Sequence, residues 1–154
     1  MNINIRYAKL LDPYIKTNYP DYDFPTEDQL NDKIKSFNNI YNEKGREMVF
    51  EMQKFMGYSF KRNIIDCLIV SAISRDMSSP LIIRSRYTPE EFLESLMHEL
   101  VHILLQDNKD IVPVLDEPNS TIRNHIPVYK VLRHLGYDNK PDSGDYLKAW
   151  ELSK

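Results

Sequence analysis

The sequence TPEEFLESLMHELVHILLQ, from Thr88 to Gln106, is the most informative stretch of the chain. It begins with a capping-box pattern, in which Thr88 caps the helix and Glu91 follows three residues later, and Pro89 suits the first helical position. The run after Pro89 contains no glycine or proline that would break a helix. We therefore predict a helix that begins near Pro89 and extends to about Gln106.

This predicted helix is apolar over most of its circumference. Its polar residues form one narrow stripe, made of Glu91, Ser95, His98, Glu99, His102 and Gln106. A surface helix normally has a narrower apolar face than this one. We therefore expect the helix to be mostly buried, with its polar stripe facing a cleft.

The stripe contains the pattern His98-Glu99-Leu100-Val101-His102. Positions i and i+4 of a helix share one face, so both imidazoles can reach a single metal ion. The pattern His-Glu-x-x-His on a helix is typical of zinc peptidases, in which the glutamate is the general base. The sequence thus predicts a Zn²⁺ site with His98 and His102 as ligands and Glu99 as the catalytic base.

A catalytic zinc normally has three protein ligands, and the chain has four histidines. We favour His125 as the third ligand, because it is predicted to lie in the first turn of a helix that follows a long loop. His134 lies near the end of the same predicted helix, where a histidine suits the helix dipole. Glu117 is the alternative ligand, although Pro118 directly after it disfavours a helix at that position.

The length and composition of the chain limit which class of protein it can belong to. The chain has 154 residues and a formal net charge of −3, which suits a single domain, 1–154, and does not support nucleic-acid binding. No apolar run is long enough to cross a bilayer, and the N-terminus lacks the layout of a signal peptide. Cys67 is the only cysteine, so no internal disulfide can form, and its apolar surroundings predict a buried strand residue. We expect a cytoplasmic protein, and the oligomeric state stays open.

The rest of the chain divides into three parts. Residues 1–60 are predicted to be helical, with a second capping box at Thr26 and Gln29 and a break at Gly45. Residues 61–137 are predicted to form the sheet and the metal-site core, with strands at 64–71 and 81–87 and a helix from about Asn124 to Leu135. Residues 138–154 are predicted to contain a C-terminal helix.

The stretch from His98 to Leu105 resembles the active-site helix of the zincin metallopeptidases. The stretch 125–136 resembles the third-ligand helix of the small SprT-like and WLM-type zincins, in which a histidine is followed by an aromatic residue and then by an apolar stripe that ends in Leu-Gly. The resemblance covers roughly residues 80–137. It implies an α+β fold with N-terminal helices, in which a small, twisted, mainly antiparallel sheet packs on the active-site helix and strand 81–87 edges the substrate cleft.

The resemblance also implies a function, which is zinc-dependent hydrolysis of peptide bonds in a peptide or protein substrate. An alternative is a zinc-binding regulatory or interaction module that has the zincin fold and cleaves little or nothing. Intact Glu99 favours the enzyme. Tyr129 lies one turn beyond His125 and is expected to be either a core residue, which we favour, or a donor to the developing oxyanion, for which Arg123 is another candidate.

Overall fold

The computed structural model describes residues 1–19 and 21–154 of the chain. The elements follow one another in the order β1 (Asn2–Tyr7), α1 (Asp12–Asn18), α2 (Glu27–Ile40), a π-helical turn (Tyr41–Gly45), α3 (Arg46–Met56), β2 (Ile64–Val70), β3 (Met77–Ser78), β4 (Leu81–Arg84), α4 (Pro89–Asp107), α5 (Ser120–His134) and α6 (Gly144–Leu152). The predicted α+β class is confirmed. Within the described residues, no helix is long and apolar enough to cross a membrane.

The four strands form one mixed sheet in the order β1-β2-β4-β3. β2 runs parallel to both of its neighbours, and β3 runs antiparallel to β4. The prediction of a mainly antiparallel sheet is therefore wrong, since two of the three strand pairs are parallel. Alternation of apolar residues marks a strand but carries no information on its direction, which depends on the connection that leads to its partner.

Strand β1 lies within the segment 1–60 that was expected to be helical. Ile3 and Ile5 are buried and the residues between them are exposed, which is the period-two pattern of a strand with one covered face. β1 pairs with β2, so that Ile3 lies opposite Ile65. Because the partner is some sixty residues further along the chain, nothing near the N-terminus indicates that these few residues find a strand to pair with.

The two other strands were expected, with partly different bounds. β2 agrees with the predicted strand 64–71, and Cys67 is fully buried in it, as predicted. β4 ends at Arg84, three residues before the end of the predicted strand. The segment 75–80 between them contains the short strand β3, which forms the edge of the sheet beyond β4. The segment 81–87 therefore does not provide the edge strand, because β4 lies inside the sheet, although Arg84 and Tyr87 do line the cleft that contains the histidines.

Helices α2 and α3 pack on the α4 side of the sheet, whereas Ile15 of α1 belongs to a second apolar cluster with Val70 and Ile82. The capping box at the start of α2 is formed by Thr26 and Gln29, as predicted. The chain does not break at Gly45; a π-helical turn carries it from α2 into α3. A Cβ atom on Gly45 would overlap the ring of Tyr41 and lie 3.0 Å from Leu93 Cδ1, so glycine is required there for close helix packing rather than to end a helix.

Helix α4 is the centre of the fold. It packs against α2, α3, α5 and the two strands β3 and β4. Leu96, Met97 and Leu100 have no exposed surface, and the Phe92 ring stacks on Phe37 with centroids 4.1 Å apart. Neighbours on several sides explain why so much of this helix is apolar, and the prediction of a mostly buried helix is confirmed.

Helix α5 begins at Ser120, earlier than the predicted start near Asn124. Asn119 caps it, since its side-chain oxygen accepts hydrogen bonds from the backbone N–H groups of Thr121 and Ile122. Because the helix begins at Ser120, Pro127 lies inside it. Gly136 follows the helix with a positive φ of 91°, as expected of a residue that ends one.

Candidate metal centre

Helix α4 determines where the first two histidines lie. The Thr88 hydroxyl accepts a hydrogen bond from the Glu91 N–H, and the Glu91 carboxylate accepts one from the Thr88 N–H. From this capped start the helix runs without interruption to Asp107. His98 and His102 therefore lie one turn apart on the same side, with ring centroids separated by 5.1 Å.

His125 joins this pair from α5. Its ring centroid lies 5.4 Å from that of His98 and 4.8 Å from that of His102. One nitrogen from each of the three rings can be chosen so that all three lie within 4.8 Å of one another, which makes the three histidines a candidate set of ligands for one metal ion. Because α5 begins early, His125 lies in the second turn of the helix and not in the first, as was expected.

The alternative ligands lie elsewhere. The Glu117 carboxylate accepts a hydrogen bond from the Asn119 N–H at 3.0 Å and lies 3.9 Å from Lys148 Nζ, so it is engaged at the start of α5. His134 stacks on Phe55 at the other end of that helix, with centroids 4.3 Å apart. Arg123 donates to the Glu117 carbonyl oxygen at 2.9 Å. None of these side chains belongs to the three-histidine cluster.

The chemistry of the three imidazoles fits a metal. Burial, and secondly the nearby His102 and His125, lowers the pKa of His98 to about 3. Burial, and secondly His125, lowers the pKa of His102 to about 4. Burial also lowers the pKa of His125, against a hydrogen bond from its ring to Thr121 that raises it. All three rings are therefore neutral near pH 7, the form in which histidine binds a metal.

The orientation of His125 is fixed by a hydrogen bond. Its Nδ1 lies 2.7 Å from the Thr121 carbonyl oxygen, which can only accept. The proton must then be on Nδ1, which leaves the lone pair of Nε2 free for a ligand. Zinc-binding histidines commonly have this arrangement, in which a carbonyl or carboxylate holds the other ring nitrogen.

Glu99 is buried beside the cluster, with 9% of its surface exposed. Burial, and secondly the negative charge of Asp76, raises the pKa of Glu99 to about 7, whereas Ser78 and Arg75 partly offset the rise. A carboxyl group with a pKa near neutrality can take up and release a proton near pH 7. This is the property required of a general base that later returns the proton.

Asp76 is a residue that the sequence did not indicate. Its side chain is 6% exposed and accepts hydrogen bonds from Arg84 Nε at 3.1 Å, from the Tyr87 hydroxyl at 2.7 Å and from the Ser95 hydroxyl at 2.7 Å. It thereby joins the start of β3 to β4 and to α4, one turn before His98. Because its partners come from three separate segments, no local spacing in the sequence could identify it.

The three histidines face a cleft of about 690 Å³, which we call the histidine cleft. One wall is the edge strand β3 with Met77 and Ser78, and the opposite wall includes Tyr129 of α5 and Tyr146 of α6. The histidines and Glu99 line the floor. The connection between α4 and α5 contributes none of the residues that line this cleft.

The two tyrosines differ in their setting. Tyr129 is 9% exposed, and its ring centroid lies 6.3 Å from that of His98 and 6.4 Å from that of His125. Tyr129 lines the cleft, and its hydroxyl has no hydrogen-bond partner among the described residues. Tyr146 is 42% exposed and packs edge-on against His125 with centroids 4.7 Å apart. Tyr129 is thus both a buried packing residue and a residue of the cleft, whereas Tyr146 had no signal in the sequence.

Comparison with protein-family models, with curated proteins and with solved structures finds no match to this chain. The functional conclusion therefore rests on the residues of the site and on their geometry.

The metal-free protein is expected to lose stability on acidification, in part because of His98. Its pKa is lowered in the fold, so between pH 6.5 and about 3 the unfolded chain binds a proton that the folded chain does not. This histidine therefore contributes stability above pH 6.5 that is lost as the pH falls toward 3. We expect the free energy of unfolding of metal-free wild type to fall more steeply between pH 6 and 4.5 than that of His98→Ala, by about 1 kcal/mol per pH unit.

Urea titrations at several pH values measure this difference. Glu99 acts in the opposite direction, since its raised pKa gives stability that is lost as the pH rises through 7, but it is common to both proteins. Equal slopes for wild type and variant would contradict a neutral, buried His98.

Proposed function

We propose that the protein is a zinc-dependent peptidase. The observation that carries the proposal is the convergence of His98, His102 and His125 beside the buried carboxyl group of Glu99 at the floor of an open cleft. These three histidines would hold the metal. When zinc is bound, it supplies the Lewis acid that activates water and polarises the scissile carbonyl group.

Glu99 is the general base in this proposal. Its carboxylate takes a proton from the attacking water and delivers it to the leaving amine, which requires a group that is easily protonated and deprotonated near pH 7. Burial and the neighbouring Asp76 give Glu99 a pKa of about 7 in the metal-free protein. Asp76 is a positioning residue here, because its bonds to Arg84 and Ser95 hold β3 against the motif helix.

The open cleft favours a polypeptide as the substrate. β3 is the edge strand of the sheet and lines the cleft, so an extended peptide can lie along it and use its backbone groups by strand addition. β4 cannot take this role, since it is already paired on both sides, with β2 and with β3.

Tyr129 is the side-chain donor that we assign to the oxygen on which negative charge develops. Burial, and secondly the nearby Tyr146 and Glu94, raises the pKa of Tyr129 to about 12, so its hydroxyl keeps its proton at neutral pH. Tyr129→Phe is expected to lower kcat/KM by about 100-fold, the usual loss of one such donor, without loss of zinc. Steady-state kinetics and metal analysis of the same preparation measure both effects.

Tyr146→Phe is the matched control, because it removes a tyrosine hydroxyl from the same cleft at a more exposed ring that also packs on His125. We expect it to change kcat/KM by less than about threefold, as for other substitutions outside the oxyanion site. A larger loss for Tyr146→Phe than for Tyr129→Phe would assign the donor to Tyr146 instead.

Two measurements test the proposed function. Mass spectrometry of the purified protein is expected to find one zinc per chain, which a chelator removes with a fall in melting temperature. Incubation of the zinc-loaded protein with a diverse peptide library is expected to produce new cleavage products. Bound zinc without cleavage would favour the alternative of a zinc-binding module, and a chain that binds no zinc would exclude both.

A further inference from the structure

The histidine cleft continues beyond His102 into a second pocket, which has a volume of about 320 Å³. The two spaces share His102 of α4 and the residues Ser78 and Ser79 at the end of β3. We call the second space the His102-side pocket. A chain that lies along β3 and across the histidines therefore reaches this pocket on one side.

The polar lining of the His102-side pocket is cationic. Its charged residues other than His102 are Arg62 and Lys109, and none of its lining residues is acidic, although the protein as a whole has a net charge of −3. The Arg62 guanidinium group donates hydrogen bonds to the Asp107 carboxylate. The Lys109 ammonium group is exposed and makes no hydrogen bond or ion pair within residues 1–19 and 21–154.

Two side-chain amides complete the pocket. Gln106 lies one turn beyond His102 on α4, and Asn124 directly precedes His125 on α5. Both are exposed, and neither amide has a hydrogen-bond partner in the part of the chain that the structure describes. An unpaired ammonium group and two unpaired amides thus meet in one pocket, and such donors are suited to a carboxylate.

The opposite side of the histidine cleft has a different charge. Glu91 and Glu94 of α4 line it on the His98 side, and Asn139 donates to the Glu94 carboxylate at 2.6 Å. Arg75, Arg84 and Lys140 line the histidine cleft as well, so its charges are mixed, whereas the His102-side pocket is lined by cationic residues and no acidic ones.

We propose that the His102-side pocket binds a carboxylate of the peptide substrate, with Lys109 as the counter-charge and Gln106 and Asn124 as hydrogen-bond donors. The inference rests on the proposed function, because it places an anionic group of the substrate beside the bond to be cut. Four residues of helix separate His102 from Gln106, about 6 Å, and an extended peptide advances about 3.3 Å per residue. The carboxylate therefore lies about two residues from the scissile bond.

Binding to the metal-free protein tests the pocket without any need for activity. The probes are three acetylated hexapeptides: amidated ones with five alanines and either one glutamate or one glutamine, and an all-alanine peptide with a free C-terminus. The amide resonances of Lys109 and Asn124 are followed by NMR. The glutamate peptide is expected to shift them and to bind at least threefold more tightly than the glutamine peptide, and the preference is expected to fade at 1 M salt.

Lys109→Gln is expected to remove that preference. Lys130→Gln is the matched control, since Lys130 is an exposed lysine of α5 outside both pockets, and it should retain the preference. Shifts caused by the free C-terminus alone would identify a terminal carboxylate as the ligand, whereas shifts caused by the glutamate side chain would identify an internal acidic residue. Binding that is equal for all three peptides, or equal losses in both lysine variants, would overturn the proposal.

Experiments on the zinc-loaded protein distinguish a failure of the carboxylate pocket from a failure of the proposed function. Cleavage sites in a peptide library are expected to show aspartate or glutamate about two residues to one side, and Lys109→Gln is expected to reduce this enrichment at least threefold. Cleavage without any acidic preference overturns the pocket alone. Carboxylate binding by a zinc-loaded protein that cleaves nothing overturns the proposed function and leaves the pocket as a carboxylate site.

Discussion

Replacing Glu99 with glutamine is expected to lower kcat/KM for peptide hydrolysis by about two to four orders of magnitude, the usual contribution of a general base. Glutamine has the size and shape of glutamate, so the buried position beside Asp76 stays filled and the fold is retained. The amide cannot accept a proton from water, and so the chemical step is lost. Because Glu99 is not one of the three clustered ligands, the variant should still bind one zinc per chain.

Glu94→Gln is the control for this experiment. Glu94 also lies on α4 and lines the same cleft, but its carboxylate accepts a hydrogen bond from Asn139 and is not one of the clustered metal ligands. We expect Glu94→Gln to retain activity within a few-fold of wild type. If Glu99→Gln were as active as wild type, Glu99 would not be the base, and the mechanism proposed for this site would be wrong.

Replacing His125 with alanine is expected to weaken zinc binding by about 1,000-fold, since about 10–16 kcal/mol of zinc-binding free energy is shared among the ligands of such sites. Zinc at 1,000 times its Kd stabilises a protein by about 4 kcal/mol. For a chain of this size that corresponds to a rise in melting temperature of about 10 °C. The variant should lose most of this rise, which thermal melts with and without zinc measure directly.

Glu117→Ala separates the two possible third ligands. Glu117 accepts a hydrogen bond from the Asn119 N–H, so its loss lowers the melting temperature somewhat in the presence and in the absence of zinc. The rise caused by zinc should remain as in wild type. A zinc-dependent rise that survives in His125→Ala and vanishes in Glu117→Ala would reverse our choice of ligand.

Local patterns in the sequence were sufficient to predict α4, the helix that contains His98, Glu99 and His102. The capping box at Thr88 and Glu91, the uninterrupted run and the narrow polar stripe all depend on residues within one or two turns of each other, and the structure has the helix where they predict it. The separation of four residues between His98 and His102 likewise determines their common face. For the same reason the second capping box, at Thr26, was also found.

Features that depend on distant partners could not be obtained in this way. β1 finds its partner only in β2, and the parallel direction follows from the helices that connect them. Asp76 accepts hydrogen bonds from residues 8, 11 and 19 positions further along the chain, and Tyr146 reaches His125 only because α6 packs on α5. The start of α5 was predicted too late, because the cap was expected near Asn124, whereas Asn119 caps the helix.

The motif, its helix and the identity of Glu99 as the candidate base are properties of the sequence, because a helix repeats every 3.6 residues and brings the residues of one face together on its own. The meeting of His125 with His98 and His102, the neutral state of their rings, and the cationic pocket beside them are properties of the folded chain. They require α5 to pack against α4 and the cluster to be buried, and both depend on contacts between residues that are far apart in the sequence.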